Sequence, residues 1–184
     1  MRKLIYQINI TADGCCDHTK MVPSEEEYGY HLHFMQSVDV LVFGRKTYEL
    51  MVPYWPDVAK DPTESETDRT FAQAFVSKQK VVFSRALKSA DDETTKIIRT
   101  DLRDEILRLK QQTGRDISVG GVDIPSQLIA LGLVDEYRFV IHPVIAGEGR
   151  RLLQGVTLQE KLRLKLVWSK TFESGSVAHH YVKQ

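Results

Sequence analysis

Short apolar segments that end at polar or glycine-containing turns recur along this chain, and they limit its possible folds more than any other feature. Residues 38–43 form such a segment without clean alternation of polar and apolar positions, which is typical of a strand buried on both faces. Comparable strand-like segments cover residues 4–11, 80–83, 96–99, 116–119 and 137–141. Helical patterns separate most of these segments, so their order predicts an α/β fold with a mostly parallel sheet.

The C-terminal third of the chain has a different pattern. Residues 161–168 alternate between two sets of side chains, which predicts a half-exposed strand. The apolar set of this strand is Leu162, Leu164, Leu166 and Trp168. Because the turn at residues 173–176 leads into a second strand over residues 177–182, we expect the chain to end in an antiparallel hairpin.

The clearest helix signal follows the first strand. Ser24 and Glu27 form a capping box that predicts a helix over residues 25–36. Glu25 falls on the apolar stripe of this helix, which consists of Tyr28, Leu32 and Met35. The prolines within residues 53–56 exclude a regular helix there and predict a surface loop. Further helices are expected near residues 48–51, 69–75, 106–112 and 124–131.

Length and charge narrow the possible functions. The 184 residues suit one domain, residues 1–184. The 25 Lys and Arg residues balance the 25 Asp and Glu residues, so no overall field would hold a nucleic acid. The apolar runs are too short to span a bilayer, and the N-terminus lacks the long apolar core of a signal peptide. We therefore expect a cytoplasmic protein without a membrane or nucleic-acid partner.

Neither the cysteines nor the histidines are spaced as metal ligands. Cys15 and Cys16 are adjacent, which suits two free thiols better than a long-loop disulfide or a four-ligand zinc site. His31 and His33 would point to nearly opposite sides of a helix, and the adjacent histidines near the C-terminus would alternate faces on a strand. No metal site is expected.

Polar turns follow four of the predicted strands, and parallel strands present their carboxyl ends at one edge of a sheet. The turns are Gly44-Arg45-Lys46-Thr47, Ser84-Arg85, Thr100-Asp101 and Gly120-Gly121. A guanidinium and a hydroxyl beside the free amides of a helix start can bind phosphate oxygens. A glycine can also merely relieve backbone crowding, and an exposed Ser-Arg pair can be a solvated turn. Taken together, the four turns predict a nucleotide-sized site.

A series of motifs resembles the dihydrofolate reductase superfamily, in particular the bacterial proteins related to the reductase domain of riboflavin biosynthesis. In chain order the motifs are Thr11-Ala12-Asp13-Gly14, Gly44-Arg45-Lys46-Thr47-Tyr48-Glu49, Val82-Phe83-Ser84-Arg85, Val119-Gly120-Gly121 and residues 132–136 through 143–149. They cover almost the whole chain. The resemblance implies a three-layer α/β/α reductase that uses NADPH, acts on a pterin-like or pyrimidine-like heterocycle and forms a homodimer.

The resemblance also implies roles for the residues in the turns. The phosphate-binding turn would contain Gly44, Arg45 and Thr47, the adenosine 2′-phosphate would meet Ser84 and Arg85, and the pyrophosphate would meet Gly120 and Gly121. Two positions differ from the riboflavin-pathway reductases, because this chain has Gln7 in place of their lysine and Val119 in place of their glutamate.

Three carboxylates are candidates for the catalytic group. The offset from Gly44 in the folate enzymes points to Glu27 or to its neighbour Tyr28, which has no carboxylate. Helical phase favours Glu25, and Asp13 follows the first strand. An acidic first turn is also explained by capping and the helix dipole. Two alternatives to an NADPH-dependent reductase therefore stay open: a dimeric module that binds a nucleotide without catalysis, and an enzyme on this fold that does not use nicotinamide.

Overall fold

The computed structural model describes residues 1–90 and 92–184, and within them eight strands and six α-helices are present. The strands are β1 (Leu4–Thr11), β2 (Val38–Gly44), β3 (Gln79–Phe83), β4 (Thr95–Ile98), β5 (Asp116–Val119), β6 (Glu136–His142), β7 (Leu164–Thr171) and β8 (Val177–Lys183). The helices are α1 (Glu25–Ser37), α2 (Arg45–Met51), α3 (Trp55–Val58), α4 (Glu66–Ser77), α5 (Leu102–Gln111) and α6 (Asp123–Ala130).

The strands form one sheet with the order β4-β3-β2-β5-β1-β6-β8-β7. The strands β1 to β6 run parallel to one another, whereas β8 is antiparallel to both β6 and β7. The prediction of an α/β fold with a mostly parallel sheet and an antiparallel C-terminal hairpin is therefore confirmed.

Helices cover both faces of the sheet and complete a three-layer α/β/α arrangement. One apolar cluster includes Tyr6 of β1 and Leu128 of α6. The other cluster includes Ile5 of β1 together with Phe34 of α1 and Phe75 of α4. Since neighbouring residues of a strand point to opposite faces, β1 contributes to both clusters and anchors the centre of the domain.

The helix α1 begins where the capping box predicts, and its apolar stripe packs against α4 as well as against the sheet. The Ser24 hydroxyl accepts from the Glu27 amide, and the Glu27 carboxylate accepts from the Ser24 amide. The stripe packs towards α4, where Tyr28 meets Phe71 with ring centroids 6.3 Å apart. Glu25 is exposed on that side, whereas Glu27 is fully buried. Helical phase therefore points to the exposed carboxylate of this turn, whereas the offset from Gly44 points to the buried one.

The segment after α2 is more helical than its prolines suggest. The exclusion of helix holds for residues 53 and 54 but is wrong for residues 55 and 56, because α3 contains Pro56 in its first turn, where a missing N–H costs no intrahelical bond. The next helix, α4, begins at Glu66 and therefore starts earlier than residues 69–75. Its cap explains the difference, since the Ser65 hydroxyl accepts from the Asp68 amide at 3.0 Å.

The strand β7 is more exposed than its alternating pattern predicts. It begins at Leu164 rather than at residue 161, and its pairing with β8 shifts register between Leu166 and Trp168. This shift interrupts the alternation, and Leu166 and Trp168 remain 48% and 42% exposed. Trp168 lies beside Tyr30 of α1, with stacked rings whose centroids are 5.9 Å apart.

Candidate functional site

The four polar turns lie at the same edge of the sheet, as the sequence predicts. They follow β2, β3, β4 and β5, which are parallel and adjacent in the sheet. Backbone hydrogen bonds join neighbouring turns, because the Gly120 amide donates to Val42 O at 3.0 Å and the Ser84 amide donates to Ile98 O at 3.1 Å. Strand pairing therefore fixes the relative positions of the turns.

The Gly120-Gly121 turn packs directly against the start of α2. Gly121 has a φ of +85°, and a Cβ at this position would overlap the Thr47 hydroxyl oxygen. Tyr6 also donates its hydroxyl hydrogen to Gly121 O at 2.9 Å. Close packing alone therefore requires glycine at residue 121, and it brings the Thr47 hydroxyl next to the turn.

The helix α6 begins immediately after this turn. Its N-cap, Val122, makes no side-chain hydrogen bond to the first-turn amides. Asp123 in that turn forms a two-pronged ion pair with Arg150, one arm of which measures 2.8 Å. This ion pair lowers the pKa of Asp123. The amide end of α6 therefore lies beside the glycine turn, and the acidic side chain in its first turn is paired with a cation.

Arg45 is not directed at the other turns. Its guanidinium donates to both carboxylate oxygens of Glu49, one helical turn further on, at 3.0 and 2.9 Å. Both side chains are partly exposed, so the pair is a surface contact that a stronger anion can replace.

An open cleft of about 540 Å³ lies at the ends of β3 and β4. Its lining includes Ser84 and Arg85 after β3, Arg99, Thr100 and Asp101 after β4, and Ile124 and Gln127 of α6. A Cβ on Gly44 would approach Ile124 Cγ1 to 3.2 Å, so this residue of α6 also adjoins the turn after β2. The cleft contains two guanidinium groups and one carboxylate, which favours an anionic ligand.

A buried carboxylate lies on the α1 side of the sheet. Glu27 Oε1 is 3.7 Å from His142 Nδ1, and Ser176 Oγ is 3.3 Å from the same nitrogen. All three side chains are buried. Burial opposes ionisation of Glu27, but hydrogen bonds from Ser24 and Ser176 lower its pKa below the usual value. Burial lowers the pKa of His142 as well.

Glu27 and further polar side chains on the α1 side of the sheet have buried atoms without hydrogen-bond partners in the described residues. These atoms are Gln7 Oε1, Asn9 Oδ1, Glu27 Oε1, His31 Nε2, Arg138 Nε and His142 Nε2. They come from β1, α1 and β6, whose pairing places Gln7 opposite Arg138. Burial lowers the pKa of His31 to about 4, so its ring is neutral at pH 7. Buried polar atoms without partners are rare in folded proteins and are a common feature of binding sites.

Asp13 lies in the loop after β1, where its carboxylate binds a second loop. Its carboxylate accepts from the Thr11 hydroxyl at 2.5 Å and from the Ala146 and Gly147 amides at 3.1 and 3.0 Å. Arg151 also pairs with it at 3.3 Å. Asp13 therefore fastens the loop after β6 to the loop after β1, and these hydrogen bonds, the Thr11 hydroxyl first, lower its pKa to about 2.

The two cysteines are free thiols, which confirms that prediction. Burial raises the pKa of the Cys16 thiol, which disfavours the reactive thiolate. Within residues 1–90 and 92–184, no group of three or more His, Cys, Asp and Glu side chains could hold a metal ion. The same residues include no helix that is both long enough and apolar enough to cross a membrane.

The sequence model of a known family, the RibD C-terminal domain, matches residues 2–178 of this chain. The chain belongs to the RibD C-terminal domain family. Over 181 residues, this RibD C-terminal domain is 32% identical to YyaP, an uncharacterized protein of Bacillus subtilis (strain 168), with 96% of this chain and 92% of YyaP covered.

Solved structures confirm the fold of this RibD C-terminal domain. A pyrimidine reductase-like protein from Corynebacterium diphtheriae is similar with a TM-score of 0.71 at 13% identity, over 100% of this chain and 92% of the other. Dihydrofolate reductase from Enterococcus faecalis, solved in complex with NADP(H) and RAB-propyl, is similar with a TM-score of 0.64 at 14% identity, over 99% and 96% of the two chains. The fold that the resemblance to the dihydrofolate reductase superfamily implies is therefore confirmed.

This member of the RibD C-terminal domain family thus has two polar regions. One region, at the carboxyl edge of the sheet, contains the predicted residues Gly44, Thr47, Ser84, Arg85, Gly120 and Gly121. The other, beneath α1, contains Glu27 and four residues that sequence reasoning missed: Asn9, Arg138, His142 and Ser176. A signal for the second region exists in β1, where every second residue from Gln7 to Thr11 is polar although the strand is central in the sheet.

Proposed function

We propose that this protein is an NADPH-dependent reductase of a pyrimidine or pterin heterocycle. The observation that carries the proposal is the open cleft of about 540 Å³, with Arg85 and Arg99 at the ends of two adjacent parallel strands. Membership of the RibD C-terminal domain family supports a reductase-type function. Ligands of open parallel sheets bind outside the carboxyl ends of the strands, where this cleft lies.

The residues at the edge of the sheet fit the phosphate groups of NADPH. The amide end of α6 and the Thr47 hydroxyl lie beside the Gly120-Gly121 turn, a combination of donors that suits a pyrophosphate. Ser84 Oγ accepts from two backbone amides, so its own hydrogen remains available to donate to an anion. Arg85 would supply charge to the 2′-phosphate.

We assign the heterocyclic substrate to the polar region beneath α1, because its unpartnered polar atoms match the hydrogen-bonding groups of a heterocycle. When bound, NADPH would supply a hydride. Glu27 is ionised near neutral pH, because its hydrogen bonds lower its pKa, and its free Oε1 can accept a ring N–H. Gln7 Oε1 and Asn9 Oδ1 provide further acceptors for ring N–H or amino groups. His142 and Ser176 orient the Glu27 carboxylate, so we assign proton handling to Glu27 rather than to Glu25 or Asp13.

Titration with NADPH and NADH tests the cofactor assignment. The readouts are quenching of Trp55 and Trp168 fluorescence and the shift in melting temperature. Micromolar binding that favours NADPH is expected, and binding of neither nucleotide would refute the proposal. A homodimer, which the resemblance implies, stays a prediction that light scattering can check.

Turnover tests the substrate side. NADPH oxidation is measured with dihydropterins and with aminouracil derivatives, for the wild type and for Glu27→Gln. The amide keeps the shape of Glu27 but removes its charge, so we expect loss of turnover with NADPH affinity unchanged. Glu25→Gln is the matched control, because Glu25 is exposed on the same helical turn. Cofactor binding without oxidation by either substrate class would favour a non-catalytic nucleotide-binding protein, in line with the differences at Gln7 and Val119.

A further inference from the structure

We infer that Arg99 is a positioning residue, which holds the loop that carries Arg85 against the cleft and thereby sets a preference for a cofactor with a 2′-phosphate. The inference rests on the proposed function, because the ligand concerned is NADPH. It assigns to Arg99 a role that acts through Arg85 rather than through contact with the ligand.

The loop after β3 is held at both of its ends. At its start, Ser84 Oγ accepts from the backbone amides two and three residues further on, at 3.2 and 2.9 Å. At its end, Arg99 Nη2 donates to Leu87 O at 2.6 Å and to Lys88 O at 3.3 Å. Arg85 lies between these two anchors, exposed and without a hydrogen bond or ion pair to any other described residue.

The two anchors are fixed by the sheet. Arg99 directly follows β4, and β4 pairs with β3 in parallel up to Ile98 opposite Phe83. The Ser84 amide extends this pairing by donating to Ile98 O. The sheet therefore fixes the backbone position of Arg99. Its guanidinium extends from there to the loop that follows the neighbouring strand, β3. Without it, the backbone carbonyls of residues 87 and 88 would lose their side-chain donor, and the loop would keep only the Ser84 hydrogen bonds and the apolar packing of Leu87.

Because Asp101 is negatively charged, the position of Arg85 decides whether the cleft prefers NADPH to NADH. Asp101 lines the same cleft, and its carboxylate is fixed because it caps α5 by accepting from the Asp104 amide at 3.1 Å. A fixed carboxylate favours the diol of an unphosphorylated ribose and repels a phosphate dianion. A cleft with Asp101 in place and Arg85 displaced would therefore lose its preference for NADPH while it could still bind NADH.

Binding of NADPH and NADH is measured by calorimetry for the wild type, Arg99→Ala, Arg99→Lys, Arg85→Ala and Arg85→Ala/Arg99→Ala. Arg103→Ala is the matched control, because Arg103 is exposed on α5 and does not line the cleft. We expect Arg99→Ala to weaken NADPH about tenfold and NADH less than about twofold, the size of a misplaced charged hydrogen bond. Arg99→Lys keeps the charge but has a shorter reach, so it should lose most of the preference as well.

The double variant separates positioning from direct contact. If Arg99 acts through Arg85, Arg99→Ala causes no further loss of NADPH affinity in the Arg85→Ala background. Amide hydrogen exchange of residues 86–88, measured without cofactor, should also accelerate in Arg99→Ala and stay unchanged in Arg103→Ala. Three results would overturn this inference but not the proposed function. They are an additional loss of NADPH affinity in the double variant, an unchanged preference for NADPH in Arg99→Ala, and wild-type behaviour of Arg99→Lys. Absence of NADPH binding by the wild type would overturn the proposed function as well.

Discussion

We expect Gly121→Ala to destabilise the fold in two ways, through its backbone conformation and through steric overlap. Gly121 has a φ of +85°, and a Cβ would overlap the Thr47 hydroxyl oxygen. A left-handed backbone costs a residue with a side chain about 1–2 kcal/mol. Forcing an extra methyl group into a packed site costs about 1–3 kcal/mol more, because Thr47 belongs to α2 and cannot rotate freely. We expect the free energy of unfolding to fall by about 2–5 kcal/mol, measured by urea unfolding with circular dichroism.

Gly155→Ala is the control for the backbone contribution. Gly155 has a φ of +79°, and a Cβ there would meet nothing within 4 Å. The expected loss is therefore only about 1–2 kcal/mol. Thr47→Ala in the Gly121→Ala background removes the overlapping oxygen and leaves Thr47 Cβ at an ordinary distance of 3.5 Å, so it should recover most of the steric loss. Equal losses at both glycines, or no recovery in the double variant, would refute the reasoning.

Three further contacts give measurable expectations. The folded pKa of Asp13 is about 2, below its ordinary value, so the wild type should lose stability relative to Asp13→Asn as the pH falls from about 4 to about 2; parallel stability curves would contradict this. Arg85→Ala should weaken NADPH by about 1–3 kcal/mol and hardly affect NADH in calorimetric titrations, and equal losses would exclude a 2′-phosphate contact. Ser24→Ala should lower the free energy of unfolding by about 1 kcal/mol, because α1 loses its N-cap hydrogen bond; urea unfolding with an unchanged midpoint would argue against that contribution.

The strands at the centre of the sheet could be predicted because burial on both faces demands apolar residues at successive positions. Residues 40–43 meet this demand and end at Gly44, so β2 is clear in the sequence, whereas β5 is marked only by Ile117 and Val119 before Gly120. The exposure of β7 could not be predicted in the same way. An alternating pattern shows which side chains of a strand share a face. Whether another element packs on that face, and where the register shifts near Leu166, depends on tertiary contacts.

The edge of the sheet was the predictable part of the candidate site, since strand order alone brings Ser84 and Gly120 to one rim. The region beneath α1 was less accessible to sequence reasoning. The apolar stripe of α1 runs from Tyr28, which meets α4, to the buried Met35, and the fully buried Glu27 lies outside this stripe. The partners of Glu27, His142 and Ser176, come from the other end of the chain, and no local spacing connects them with α1.

The position of β1 has a consequence for biosynthesis. This strand precedes the other described strands in the sequence, yet it pairs with β5 on one side and with β6 on the other. A ribosome-bound fragment that ends before residue 116 therefore leaves both edges of residues 4–11 open, and one that ends before residue 136 leaves one edge open. Exposed strand edges promote aggregation, and pairing over long chain separations is slow. The growing chain must therefore carry its central strand without a partner until about two thirds of these residues have been translated, and without its second partner until about three quarters.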